Sequence, residues 1–138
     1  MKNQEFEQRI EKYLKRQFGI TISAASKRQV YEALMSTVRE KLSEKKFAYE
    51  QELKKTKQKR AYYMSMEFLV GRTLRNNLFN LGVEKEINKY LADNNFDLDE
   101  IYDIEPDPGL GNGGLGRLAS CYLDALTSSD YPVTGFSI

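Results

Sequence analysis

Pro108-Gly109-Leu110-Gly111-Asn112-Gly113-Gly114-Leu115-Gly116-Arg117-Leu118 is the stretch on which the reading of the chain turns. Five of the chain's nine glycines stand in it. Such a stretch buries little and loses much conformational entropy on ordering, so it persists where side chains would block a backbone path. Directly after the glycines, Leu115, Leu118, Ala119, Tyr122, Leu123 and Leu126 recur at three- and four-residue steps. That is one face of a helix running to about Ser128. A glycine loop thus leads into a helix N-terminus, where unpaired N–H groups and the positive end of the dipole face outward. The arrangement suits an anion, most often a phosphate. A glycine-rich start to a helix with no ligand is the alternative.

The familiar phosphate loops fit poorly. Gly109, Gly111 and Gly114 satisfy G-x-G-x-x-G, but that pattern needs a buried strand before it and an acid about 20 residues beyond. Here Ile101–Asp107 is acidic and broken by Pro106, and the position about 20 residues on lies near Thr134. The Gly-Lys-Ser/Thr of a P-loop is missing, with Arg117 in its place.

Outward from the loop, two short apolar runs read as buried strands. Arg60–Met66 is aromatic and apolar, and Glu67 stands at its C-terminal end. Strand ends of that kind line the ligand crevice of open α/β sheets, although a cap or an ion pair is the commoner task for such a carboxylate. Pro132–Ile138 is the second run. Between them, Arg72–Leu81 reads as a helix closed by Gly82, and Val83–Ala92 as another. Asp97–Glu100 resembles a capping box before a brief helical turn. Strand, helices, glycine loop, helix and strand are the opening of a doubly wound α/β domain. Two parallel strands make no stable sheet, and the last run ends on apolar Ile138, so the chain is expected to continue.

Before the first strand, Phe6, Ile10, Tyr13, Leu14 and Phe18 predict an amphipathic helix ending near Gly19. Ser26–Gln29 fits a capping box. A second helix follows through Val30, Leu34, Val38 and Leu42, with Tyr31 and Met35 beside them. It continues or restarts through Phe47, Tyr49 and Leu53 and turns polar up to Lys59. Residues 1–59 form a helical packing or partner region, and residues 60–138 the α/β part.

Composition narrows the chemistry. The chain has no histidine, which removes Ser-His and Cys-His dyads and every His-containing metal motif; no metal site is expected. Cys121 is the only cysteine, so no internal disulfide forms; its place on the apolar side of the last helix predicts a packed thiol. Neither a membrane-length apolar run nor a signal-peptide pattern is present, and the cytoplasm is the expected compartment. Residues 1–60 hold 16 Lys/Arg against 8 Asp/Glu, and residues 61–138 hold 5 against 12. Because the basic residues are mixed with Glu on helices, they read as a solvated face and not as a nucleic-acid surface.

Two segments resemble the α-glucan phosphorylases, the glycogen, starch and maltodextrin enzymes. Tyr62-Tyr63-Met64-Ser65-Met66-Glu67-Phe68-Leu69-Val70-Gly71-Arg72-Thr73-Leu74 is similar to that family's first strand and turn. Residues Glu105–Asp124, which include the glycine stretch, are similar to its loop and following helix. The resemblance covers residues 60–138 well and residues 1–59 only in helical character. It implies an N-terminal portion of a two-domain GT-B glycosyltransferase, with pyridoxal 5′-phosphate between the domains. The implied reaction is phosphorolysis of α-1,4-glucans by inorganic phosphate to glucose 1-phosphate, with retention, the coenzyme's phosphate serving as acid and base.

By the same resemblance, Gly113 and Gly114 match the glycines whose backbone approaches the coenzyme and substrate phosphates. Leu115 matches the residue against the glucose. Asn112 and Glu67 match polar residues of the sugar channel, and Arg117 an arginine that is as readily structural. Leu69 stands where some members carry a tyrosine at the coenzyme. The animal enzymes' phosphorylated serine and AMP site find no match in residues 1–59, which points to a bacterial-type, constitutive member. The coenzyme's lysine and the basic cluster for substrate phosphate lie in the family's C-terminal half, so the remainder of an enzyme chain is an implied partner. The isolated segment is expected to be inactive, and the parent to be a homodimer. Two other readings stand beside this one: a non-catalytic helical module associating through residues 1–59, and a segment of a related glucan synthase. The Tyr62–Phe68 segment and Leu110–Asn112 argue against the synthase.

Overall fold

The computed structural model describes residues 2–108 and 113–137, with residues 2–4 as backbone only. The described chain is mostly helical and carries one two-stranded parallel sheet. It divides into two compact units interleaved in sequence: residues up to 46 with 73–106, and residues 47–72 with 107–138. Sequence order alone suggests a division at residue 60; the packing groups the three helices after the first strand with the N-terminal ones.

The first unit contains α1 (Lys2–Phe18), α2 (Lys27–Thr56) as far as residue 46, α3 (Leu74–Leu81), α4 (Glu84–Asp93) and α5 (Leu98–Ile104). Four-residue spacing puts Phe6, Ile10 and Leu14 of α1 and Val30, Leu34 and Val38 of α2 into one core with Leu74, Leu78, Ile87, Leu91 and Ile101. Leu42, the last member of the predicted α2 face, is exposed because the apolar cluster ends one turn earlier. The helix is continuous to Thr56, through the stretch where a restart was an alternative.

The predicted helix ends are present. Gln29 Oε1 accepts from Ser26 N at 2.9 Å, and Ser26 Oγ accepts from Gln29 N at 3.3 Å, a reciprocal box at the start of α2. Gly82 closes α3 in the left-handed region at φ 70, and Val83 N donates to Leu78 O at 3.1 Å. Asp97 caps α5 by accepting from Asp99 N at 2.9 Å. The reciprocal half of that predicted box is absent: Glu100 pairs with Lys27 at 2.8 Å.

Charged side chains tie α1 to α2. Lys41 Nζ donates to Glu5 at 2.6 Å and Glu44 at 3.0 Å, and Arg9 Nη2 donates to the same two carboxylates at 2.6 and 2.8 Å. Hydrogen bonds from Lys41, then from Arg9, hold the Glu5 and Glu44 carboxyls below the usual range. Their contribution is therefore intact above the ordinary carboxylate pKa and is lost as pH falls through the lowered values. An NMR carboxyl titration should find both groups still charged where a free glutamate is half-protonated. Midpoints at the free value would refute the clamp.

The second unit contains β1 (Ala61–Met64), α6 (Gly114–Ser128) and β2 (Val133–Phe136). The strands are parallel, with Ala61 opposite Val133 and Met64 opposite Phe136. Parallel neighbours need a long crossover, which the chain between them provides. Helix α6 packs on β2 closely enough that a Cβ on Gly135 would lie 2.9 Å from Leu123 Cδ1. Tyr63 sits between the rings of Phe68 and Tyr122, each at 6.0 Å.

Two expectations are corrected here. The strands are not buried: Tyr62, Met64 and Phe136 are exposed, and Tyr63 is half-buried. Alternation along a strand sends neighbours to opposite faces, and Tyr63 is on the face that meets α6. Cys121 is exposed and not packed. The covered stripe of α6 is Gly116, Ala119, Ser120 and Leu123, leaving Leu115, Leu118 and Tyr122 at its margin about half exposed. Among the described residues no helix is long and apolar enough to cross a membrane.

Candidate functional site

The start of α6 and the turn after β1 meet in the second unit. Gly113 is the N-cap of α6, extended at φ −118 and ψ 178, with no side chain to satisfy the first-turn N–H groups. Gly113 and Gly114 are both exposed, and a Cβ built on either meets nothing within 4 Å. Neither has a positive φ. Within the described residues, then, neither space nor backbone conformation requires glycine at these two positions.

The turn after β1 brings Glu67 and Leu69 to the same place. Ser65 Oγ donates to Glu67 O at 2.7 Å and accepts from Glu67 N at 3.3 Å, which folds the chain back at the strand end. Leu69 N then donates to Gly116 O at 3.0 Å, joining the turn to the first turn of α6. Ser120 Oγ donates to the same carbonyl at 3.1 Å. Glu67 Oε2 lies 3.3 Å from where a Gly116 Cβ would stand. Glu67 and Leu69 are half-buried.

The structure thus gathers four of the predicted site residues, Glu67, Leu69, Gly113 and Gly114, around one helix start. Leu115 is on the same turn, 53% exposed. Arg117 is exposed. Asn112, with Gly109 and Gly111, lies outside the described residues. In sequence Gly116 carries no role distinct from the neighbouring glycines. The signal for it is the small-residue stripe Gly116, Ala119 and Ser120, which marks the side of α6 that a backbone approaches.

Chemically the arrangement offers two functions side by side. The N–H groups and the positive end of the α6 dipole attract an anion. The Glu67 carboxylate accepts hydrogen bonds and suits hydroxyl groups. A ligand carrying both hydroxyls and a phosphate is matched by the pair.

A family model described as carbohydrate phosphorylase matches residues 91–138, which include α6 and β2. The chain is 44% identical over 115 residues to a glycogen phosphorylase of Chlamydia pneumoniae, covering 83% of this chain and 14% of that protein. It is 41% identical over 120 residues to a glycogen phosphorylase of Bacillus subtilis, covering 87% of this chain and 15% of that one. Alpha-glucan phosphorylase 1 of Arabidopsis thaliana is 51% identical over 80 residues, 58% of this chain and 8% of that protein. The chain spans roughly a seventh of the length of the two bacterial relatives.

Proposed function

The chain belongs to the glucan phosphorylase family, and from that premise we propose that it forms the glycine-loop side of a site that cleaves α-1,4-glucans with inorganic phosphate. The product is glucose 1-phosphate, and the parent enzyme is a retaining hexosyltransferase, cytoplasmic and homodimeric. Residues 60–138 begin the N-terminal domain of a GT-B fold, preceded by the helical region 1–59; the parallel β1–β2 pairing with α6 in the crossover supports this reading.

In this proposal Gly113 and Gly114 let phosphate oxygens reach the N–H groups of α6. The observation that carries it is that, among the described residues, nothing comes within 4 Å of a Cβ at either glycine, at a helix start with no side-chain cap bond. The glycine backbone also admits the approach of the phosphate of pyridoxal 5′-phosphate, and Leu69 offers an apolar contact to that coenzyme. When bound, the coenzyme supplies a phosphate that gives and takes a proton at substrate phosphate. Glu67 and Asn112 orient sugar hydroxyls, and Leu115 lies against the glucose. The attachment lysine comes from the rest of the enzyme chain, so residues 1–138 alone release no glucose 1-phosphate.

The test is phosphate-dependent release of glucose 1-phosphate from maltodextrin by the complete enzyme and its Glu67→Gln variant. A lost charge-assisted hydrogen bond to substrate lowers kcat/KM about 10- to 100-fold. Unchanged kinetics would remove Glu67 from the site. Turnover that needs a sugar nucleotide in place of phosphate would assign the chain to a glucan synthase.

A further inference from the structure

Gly116 differs from the two glycines before it. It is buried, and an ideal Cβ there would stand 3.2 Å from Glu67 Cβ, 3.3 Å from Glu67 Oε2 and 3.3 Å from Leu69 N. Ordinary contacts between carbon atoms lie at about 3.5–4.0 Å. Two of the three atoms belong to the backbone or its first carbon, so they cannot swing aside as a side-chain tip does. Its φ is not positive, and alanine is the better helix former, so helix geometry does not account for glycine here. What accounts for it is the approach of the turn that bears Glu67 and Leu69, held by the 3.0 Å bond from Leu69 N to Gly116 O.

We infer that Gly116 is a positioning residue: its missing side chain sets the separation between Glu67 and the anion-binding start of α6. The inference rests on the proposed roles of Glu67 and of Gly113 and Gly114. One contact of Gly116 is to the residue facing sugar and another to the residue facing coenzyme. A methyl group there shifts both by a few tenths of an ångström relative to the helix start. Misplacements of that order and up to about 1 Å reduce rates by as much as 10²-fold.

A double-mutant cycle in the complete enzyme decides the matter, with Gly116→Ala, Glu67→Gln and the double variant. The readouts are KM for maltodextrin, kcat and coenzyme content by absorbance. Gly116→Ala should lower kcat/KM about tenfold, chiefly through KM, with coenzyme content retained. In the Glu67→Gln background the same substitution should cost less than about twofold, because the contact it disturbs is already lost. Independent, multiplying effects would overturn the inference, as would wild-type kinetics for Gly116→Ala beside an impaired Glu67→Gln. Wild-type kinetics for Glu67→Gln itself would overturn the reading of Glu67 and the inference with it. If Gly116→Ala does not fold, Gly116→Ala with Glu67→Gly, which removes two of the three atoms the methyl meets and leaves Leu69 N, should recover part of the lost folding; no recovery overturns the inference.

Discussion

Gly114→Ala in the complete enzyme is expected to lower kcat/KM for phosphorolysis by about 10²–10³-fold while leaving α6 at least as stable as before. The two effects have opposite signs for one physical reason. Nothing among the described residues lies within 4 Å of a Cβ at Gly114, and its φ is not positive, so the methyl group meets no atom of the described residues and strains no backbone. In a helix interior the exchange favours alanine by up to about 1 kcal/mol, and at the first helical position by less. The methyl does occupy the space through which an anion reaches the first-turn N–H groups, and removing such donors costs roughly the rate stated. Initial rates and thermal unfolding of the same preparation check both halves. Activity within about threefold of wild type would mean that no ligand approaches this glycine, whereas a large loss of stability would make the glycine structural.

Glu105→Ala is expected to loosen the helical unit at the start of α3. The Glu105 side chain is buried, and its oxygens accept from Thr73 N at 2.8 Å, from Leu74 N at 3.0 and 3.2 Å, and from Thr73 Oγ1 at 3.2 Å. Thr73 is the N-cap of α3, yet its own hydroxyl makes no cap bond. A carboxylate 32 residues away caps the helix instead. Removing it leaves the Leu74 N–H unpaired in a buried place and the Thr73 N–H in a half-buried one, and gives up charge-assisted bonds, about 3 kcal/mol in all. Leu74 and Leu78 on that helix are fully buried, so fraying of α3 opens the core of the unit. Amide protection along α3 should fall by about two orders of magnitude, at about 1.4 kcal/mol per tenfold. Glu105→Gln should fall between, since one oxygen still accepts while the amide group turns donors toward donors. Unchanged protection in the alanine variant would mean that water replaces the carboxylate.

These two sites differ in how far they are legible in the chain. The glycine stretch announces a helix start suited to an anion, because glycine content and three- and four-residue spacing are local. The same holds for the Ser26–Gln29 box, the stop at Gly82 and the four-residue spacing of Phe6, Ile10 and Leu14. Glu105, by contrast, reads as one more acid in an acidic run. Nothing within four residues of it indicates that it ends up on α3. Gly116 likewise looks like its neighbours in sequence. Only the approach of the turn after β1 separates it from Gly113 and Gly114.

The expected burial of the strands and of Cys121 failed for a related reason. An apolar run states that a segment can be covered, not that this chain covers it. Tyr62, Met64 and Phe136 keep their strand pairing with their side chains in solvent. Where helices and strands form, how most of the helices start and stop, and the resemblance to one family are all legible in the chain, since these depend on short-range periodicity and on contiguous motifs. That α3–α5 join the N-terminal helices, that Glu105 caps α3, and that Glu67 and Leu69 abut the start of α6 at Gly116 emerge with the folded chain alone. Each of those is a contact between residues distant in the chain, and a hydrogen bond or a close approach exists only once folding has brought both partners to the same place.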